Sequence, residues 1–298
     1  MWGGRRLESV FHKNLPPKVR IGESWEIVDR PEAQSVVAKG PLHGTTLHEL
    51  WTQRRDEIFG DVADAPRFPL LIKILDASEK LSLQVHPSEH VASKLGGESK
   101  TEFWYVAAAD PGAKLFLGFR TPITRDRFKE KLRDGTVIDH VHKIAVHVGD
   151  AVFLPAGRLH AAGAGSLLIE IQQNSDTTYR VFDWNRTDPA TGQERELHVE
   201  QAIQSIDFED MQPKLIQAEG ELLISHSLFE IQQWTLDGDR EVASLGQFAI
   251  VCCLTGSLSC ASVELGPGEI FLVPAYLQNR QLKPLAPQTS LLRVTIPV

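Results

Sequence analysis

The sequence predicts a mainly β protein, built as two barrel-type β domains with a helical insertion in the first, and three observations carry that prediction. Short apolar or alternating runs, each closed by Gly, Pro, Asn or Asp, recur along most of the 298 residues. Helix signals are few and sharply punctuated. One stretch repeats: Gly149-Asp150-Ala151-Val152-Phe153-Leu154-Pro155-Ala156-Gly157 reads like Gly268-Glu269-Ile270-Phe271-Leu272-Val273-Pro274-Ala275-Tyr276, a glycine turn, an apolar strand and a proline turn at matching offsets. Many short strands with turn signals between them indicate a sandwich or barrel.

Thr46 and Glu49 form a capping box that opens a helix toward Ile58, because hydroxyl and carboxylate can each satisfy the other residue's free amide. Pro87 opens a short helix that Gly96 and Gly97 can close. Pro122 and Thr124 start a charged stretch with Arg127, Glu130, Lys131 and Arg133 at helical spacing, so Thr121 to His147 is predicted as the helical insertion. Leu197 to Ile206 is predicted as a further helix, and Asn185 to Thr191 as a loop. The predicted strands of the first domain, residues 1–210, are Pro69–Leu75, Leu81–His86, Glu102–Ala107, Lys114–Phe119, Ala151–Leu154, Ser166–Gln172 and Tyr179–Trp184. After Asp210 the pattern restarts in a smaller domain, 211–298, with Leu222–Ile224, Phe229–Trp234, Phe248–Leu254, Ser257–Val263, Ile270–Val273 and Ser290–Ile296. His160 follows the first proline turn. Counted by offset, Asn279 takes its place in the second, where no ligand set is left.

The formal net charge of −8, with no run of Lys or Arg, excludes an electrostatic footprint for nucleic acid or an anionic membrane. Cys252, Cys253 and Cys260, an odd count in one short stretch, make neither a disulfide framework nor a thiolate metal site, which fits a reducing compartment. The polar start of the chain and the brevity of its longest apolar run, Phe248 to Leu254, predict a cytoplasmic protein. A monomer is compatible with this text.

Strand alternation in Leu81-Ser82-Leu83-Gln84-Val85-His86 places Ser82, Gln84 and His86 on one face. The same period aligns Lys100, Glu102 and Trp104, and the turn before His160 can aim it into a barrel. Gln84, His86, Glu102 and His160 then offer one amide oxygen, one carboxylate and two imidazoles, suited to zinc or another first-row divalent ion with room for water or substrate. If Tyr179 to Trp184 is one strand, Arg180, Phe182 and Trp184 share a face, a charged tip with aromatic walls. Lys73 is an ammonium in an apolar run, where burial demands a partner.

These spacings resemble the two metal-binding motifs of the cupin superfamily, whose fold is a jelly-roll barrel. The second motif is matched by Gly149, Pro155, Gly157 and His160, and departs at Ala164, where an asparagine is usual. In the first, Gln84 stands for the first histidine of a His-x-His pair. That departure is informative: Gln84-Val85-His86-Pro87 followed by Lys100-Thr101-Glu102-Phe103-Trp104-Tyr105 is similar to the type I mannose-6-phosphate isomerases. The resemblance extends through Trp2-Gly3-Gly4, Gly22-Glu23-Ser24-Trp25-Glu26, Pro69-Leu70-Leu71-Ile72-Lys73 and Gln172-Gln173-Asn174-Ser175-Asp176-Thr177-Thr178-Tyr179-Arg180-Val181.

The resemblance implies two cupin-type barrels and an aldose–ketose isomerase, an intramolecular oxidoreductase acting on a small phosphorylated sugar, mannose 6-phosphate against fructose 6-phosphate, with one zinc per chain. It implies Gln84, His86, Glu102 and His160 as zinc ligands and Arg180 as a catalytic residue. Proton transfer between carbons 1 and 2 builds negative charge on neighbouring oxygens, which a cation and a fixed guanidinium can stabilise. Ser82, Lys73, Lys100 and Arg180 are the candidates for holding phosphate or hydroxyls. The proton carrier stays open among zinc-bound water, Lys100 and Asp176. Against these roles stand plainer ones: Arg180 in a salt bridge, Lys73 snorkelling from a strand end, Asp176 capping a turn, and His140, His142 and His147 solvated. A metal-dependent cupin oxygenase and a non-catalytic sugar-phosphate-binding cupin are the rival functions. Iron with oxygen consumption would mark the first, and binding without conversion the second.

Overall fold

Short strands dominate the structure, a computed structural model that describes residues 2–187 and 192–297. Up to residue 95 the elements are α1 (Arg6–Ser9), β1 (Glu23–Ile27), β2 (Asp29–Arg30), β3 (Ala33–Gln34), α2 (Leu47–Gln53), α3 (Arg55–Phe59), β4 (Leu70–Ala77), β5 (Leu83–Val85) and α4 (Glu89–Leu95). There follow β6 (Glu102–Ala109), β7 (Lys114–Phe119), α5 (Arg125–Arg133), a 3-10 turn (Val137–His140), β8 (Val141–Ala145), β9 (Ala151–Leu154), β10 (His160–Ala162), β11 (Ser166–Gln173), β12 (Tyr179–Phe182) and α6 (Val199–Ser205). The remainder is all β: β13 (Leu222–His226), β14 (Phe229–Leu236), β15 (Arg240–Glu241), β16 (Ala249–Thr255), β17 (Leu258–Cys260), β18 (Val263–Leu265), β19 (Ile270–Val273), β20 (Gln281–Pro284) and β21 (Thr289–Thr295).

The chain divides into two compact units. The first comprises residues 1–5, 18–24 and 73–215, and the second residues 6–17, 25–72 and 216–298. The division expected at 210/211 differs from this, since two N-terminal stretches are counted with the second unit.

Two five-stranded sheets, β1-β4-β11-β6-β9 and β12-β5-β10-β7-β8, form the larger barrel. Leu75, Trp104, Val106, Leu115, Leu117, Val152, Leu154, Ala162 and Leu168 meet between them in one buried cluster. The opposite face of the second sheet, with Leu83, Val85, Phe116, Phe119, Ala161 and Val181, packs against Phe128 of α5 and Ala202 and Ile203 of α6. The edge strand β8 leaves Lys143 and Ala145 exposed, while the inner strands β5, β10 and β7 of that sheet are covered on both faces. This explains why their sequence is so rich in apolar residues and why the polar ones among them are conspicuous. In the second unit, sheets β13-β14-β21-β16-β19 and β15-β20-β17-β18 enclose Trp234, Leu236, Val251, Cys253, Leu258, Cys260, Leu282 and Leu291.

The helix signals act as the side-chain chemistry predicts. Thr46 Oγ1 accepts from the Glu49 amide at 3.1 Å, and Glu49 Oε2 accepts from the Thr46 amide at 2.7 Å, completing the capping box. The helix toward Ile58 breaks at Arg54 (φ −137°, ψ 30°) into α2 and α3. Gly96 closes α4 in the left-handed region at φ 72°, where a side chain would be strained. The insertion is only half helical. Residues 141–145 form β8, paired antiparallel to β7 with Lys114 opposite Ala145, so the apolar residues there serve a sheet edge. The loop predicted at Asn185 to Thr191 falls partly outside the described residues, at 188–191.

Candidate active site

The polar residues of the first barrel share its inner face because the strand period puts them there. Leu83 and Val85 face the helices, so Ser82, Gln84 and His86 face inward, and Trp104 and Val106 carry Glu102 inward with them. His160 opens β10 directly opposite Gln84, with Ala162 of the same strand in the inner cluster. Three separate sequence regions are thereby brought to one point.

His86, Glu102 and His160 place one ligand atom each within 4.8 Å of one another, and all three are buried. His86 Nε2 lies 3.2 Å from Glu102 Oε1, and His160 Nε2 lies 3.4 Å from Glu102 Oε2. The Gln84 amide joins them, its Nε2 placed 3.4 Å from His160 Nε2. Amide oxygen and nitrogen differ only by a flip, and rotation about the last bond offers Oε1 to the same centre. Each imidazole is locked by its other nitrogen: His86 Nδ1 donates to Thr177 O and His160 Nδ1 to Arg158 O, both at 2.9 Å. A carbonyl can only accept, so both Nε2 lone pairs are left facing the carboxylate. Trp104, edge-on to His160 at 5.3 Å between ring centroids, braces that ring.

The donor set fits a divalent cation. Glu102 Oε1 is met by the Lys100 ammonium, but His86 Nε2 and Glu102 Oε2 are sealed from solvent without a hydrogen bond, which is costly unless something else occupies the point between the two imidazoles and the carboxylate. Burial, together with Lys100, lowers the His86 pKa to about 4, so the imidazole is neutral at physiological pH, as a metal ligand must be. Burial alone would raise the Glu102 carboxyl, but Lys100 and His86 outweigh it and hold the group well below the usual carboxylate range. Lys100 Nζ sits 2.7 Å from Glu102 Oε1. Burial works against its charge, and Glu102 and Glu170 more than offset this, so its pKa is raised.

The remaining predicted residues fall in different places. Ser82 is buried, with its hydroxyl 3.4 Å from Gln84 Oε1. Lys73 is buried on the inner face of β4 and lies 3.5 Å from both Glu23 and Asp176, so it has the partners its burial requires. Asp176 is half exposed. Arg180 is opposite Gln84 in the ladder, its Nη1 donating to Glu196 O at 2.8 Å while Nε is buried without a partner. Burial lowers its pKa, and Arg195 adds to that effect.

The aromatic face expected from Arg180, Phe182 and Trp184 does not form. A bulge between Arg180 and Phe182 shifts the register, the strand ends at Phe182, and Trp184 turns at φ 59° to donate from Nε1 to Leu81 O. Glu170 is a residue the sequence reading missed. It is buried on the inner face of β11 and accepts from Trp104 Nε1 at 2.7 Å. Burial and then the Glu102 charge push its pKa up to about 7. Its signal was a carboxylate at the inner position of the apolar run Ser166–Gln172.

Residues 1–111 match the family described as phosphomannose isomerase type I, catalytic domain. A mannose-6-phosphate isomerase of Streptococcus mutans is 34% identical over 292 residues, covering 94% of this chain and 91% of its own. The chain belongs to the type I mannose-6-phosphate isomerase family. The crystal structure of the mannose 6-phosphate isomerase from Bacillus subtilis superimposes with a TM-score of 0.87 at 32% identity, covering 99% of this chain and 96% of that one. A mannose 6-phosphate isomerase crystallised with zinc and yttrium has the same fold, with a TM-score of 0.75 at 18% identity over 100% of this chain and 96% of its own. Family membership makes this an aldose–ketose isomerase enzyme, which removes the oxygenase and the non-catalytic sensor as readings. Among the described residues no helix is long and apolar enough to cross a membrane.

Proposed function

We propose that the protein interconverts mannose 6-phosphate and fructose 6-phosphate with one zinc ion per chain, held by Gln84, His86, Glu102 and His160. The observation that carries the metal is the set of buried, hydrogen-bond-free donor atoms on His86 and Glu102 beside a second locked imidazole. A zinc bound there supplies a Lewis acid for the oxygens next to the reacting carbons.

The chain's own residues do the rest. The Lys100 ammonium, fixed by Glu102, donates toward the oxygen on which negative charge develops as the proton leaves carbon 2. Arg180 adds its free Nε–H to the same charge, its backbone paired opposite Gln84 of β5 and its Nη1 anchored on Glu196 O. Ser82 and Lys73, both buried on the inner face, hold sugar hydroxyls and the phosphate. A charged Lys100 has no lone pair to take the proton from carbon 2, which leaves Asp176 as this chain's own candidate for carrying it between carbons 1 and 2, and the pH profile of Asp176→Asn tests that role. Three buried cysteines without disulfides support a cytoplasmic setting.

The test is conversion of mannose 6-phosphate in a coupled assay, before and after chelation and again after zinc is restored. Activity lost on chelation and regained with zinc supports the reading. Full turnover by protein shown to be metal-free would overturn it.

A further inference from the structure

We infer that the second unit carries an oxyanion-binding site built on Arg280. Arg280 is 6% exposed, its Nε and Nη1 are sealed from solvent with no hydrogen-bond partner, and no carboxylate of the described residues pairs with it. A guanidinium cannot shed its proton, so a buried one without an anion is destabilising.

Strand register shows what the position is. Leu282 faces Arg240 in the second unit's ladder as His160 faces Gln84 in the first, and the Val242 amide donates to Arg280 O one step further along. Val242 and Leu282 belong to the unit's core cluster, so by alternation Arg280 points to that same inner face. Two residues ahead of His160, the corresponding residue of the first unit is Arg158. Its guanidinium is fully occupied: Nε and Nη2 on Asp210 at 2.8 Å each, and Nη1 on Phe153 O at 2.6 Å. The repeat thus keeps the cation in both units and the carboxylate in only one. Nη2 is the one guanidinium nitrogen of Arg280 outside the sealed set, which leaves an approach for a carboxylate or phosphate group.

Crystals grown without sulfate or phosphate are soaked in selenate, and melting curves are recorded separately in inorganic phosphate and in acetate. The expected results are an anomalous peak on the Arg280 guanidinium and a melting temperature raised by about 4 °C at saturating anion. In Arg280→Met that rise shrinks, and in anion-free buffer the variant is at least as stable as the parent. A rise with phosphate alone identifies a phosphate group, and a rise with both a general oxyanion site. Absence of the peak, a chain carboxylate on Arg280, or an undiminished rise in Arg280→Met overturns the inference. If Arg280→Met does not fold, the selenate map decides.

Discussion

Replacing Glu170 by Gln tests whether the buried carboxylate of β11 is a pH-dependent load on the fold. Its pKa stands at about 7 against an ordinary 4.5, chiefly through burial and then through the Glu102 charge, with Lys100 and Lys73 pulling the other way. The folded state therefore keeps the Glu170 proton to about pH 7, whereas the unfolded chain releases it near 4.5. This group's contribution is complete below pH 4.5 and is lost as pH rises through 7, because across that window the folded state binds more protons. The full loss amounts to about 3 kcal/mol, or a melting temperature lower by roughly 5 °C at pH 8 than this group alone would allow at pH 4. In Glu170→Gln the amide oxygen still accepts from Trp104 Nε1, so the hydrogen bond at 2.7 Å survives while the titration disappears. Melting curves of chelator-treated parent and variant from pH 5 to 8.5 read the difference: the variant gains on the parent as pH rises, most steeply between 5 and 7. Adding zinc to the parent moves that window to lower pH, since a cation beside Glu102 favours the charged form of Glu170. Parallel curves for the two proteins across this range would refute the reasoning.

Arg180→Ala lowers kcat by about 100-fold or more while zinc content, measured by elemental analysis, stays at the parent level. Glu102→Ala removes the carboxylate of the proposed zinc site, the one carboxylate among the described residues of that cluster, and leaves Lys100 buried without its 2.7 Å partner, so zinc content falls to near zero and the melting temperature drops. Burial pushes all three cysteine thiols up, that of Cys253 to about 12, so a thiol-specific reagent modifies none of them at pH 8 until the protein is unfolded. Gly268 has φ +76°, and a β-carbon there would collide with the Phe11 ring, so Gly268→Ala costs about 2 kcal/mol or more in urea unfolding.

Legibility followed the range of each physical signal. Inward placement of Ser82, Gln84, His86, Lys100 and Glu102 was legible because a strand's two-residue period is strict and local. Capping of α2 and α5 and the glycine stop of α4 were legible because each needs only residues three or four apart, whereas Pro87 does not open α4: the helix starts at Glu89 after Ser88, which makes no side-chain cap bond. Arg180 and Trp184 were misplaced relative to each other because a bulge changes register without leaving a mark in composition. Strand β8 was absorbed into a helix because the charged stretch before it fixed the reading, while its burial is supplied by β7 and by the cluster around Phe128. Glu170 was passed over because an apolar run reads as core. Only the ladder opposite Trp104 shows that its carboxylate faces the same space as Glu102. Strands β15 and β20 are so short that their pairing, not their text, defines them.

That pairing also changes how the internal repeat is read. Counted by offset from the proline turn, Asn279 stands where His160 stands. Counted through the ladders, Leu282 does, since it faces Arg240 as His160 faces Gln84. Likewise Glu102 is opposite Leu154, the residue before Pro155, and Ala249 is opposite Val273, the residue before Pro274. The second unit therefore sets Ala249 and Leu282 where the first sets Glu102 and His160, and both are buried in apolar surroundings. Its inner cluster is apolar, with the Arg280 guanidinium as the buried charge beside it. The first unit instead carries His86, Lys100, Glu102, His160 and Glu170 in one low-dielectric space, an arrangement that costs free energy in every contact left unsatisfied. Restoring Ala249→Glu and Leu282→His in the second unit would not by itself recreate a metal site, because Arg240 occupies the place of Gln84 with its guanidinium on Glu221 and over the Trp234 ring. What separates the two units is thus an exchange of the ligand positions on a shared strand order, with Arg158 and Arg280 as the cation both units keep.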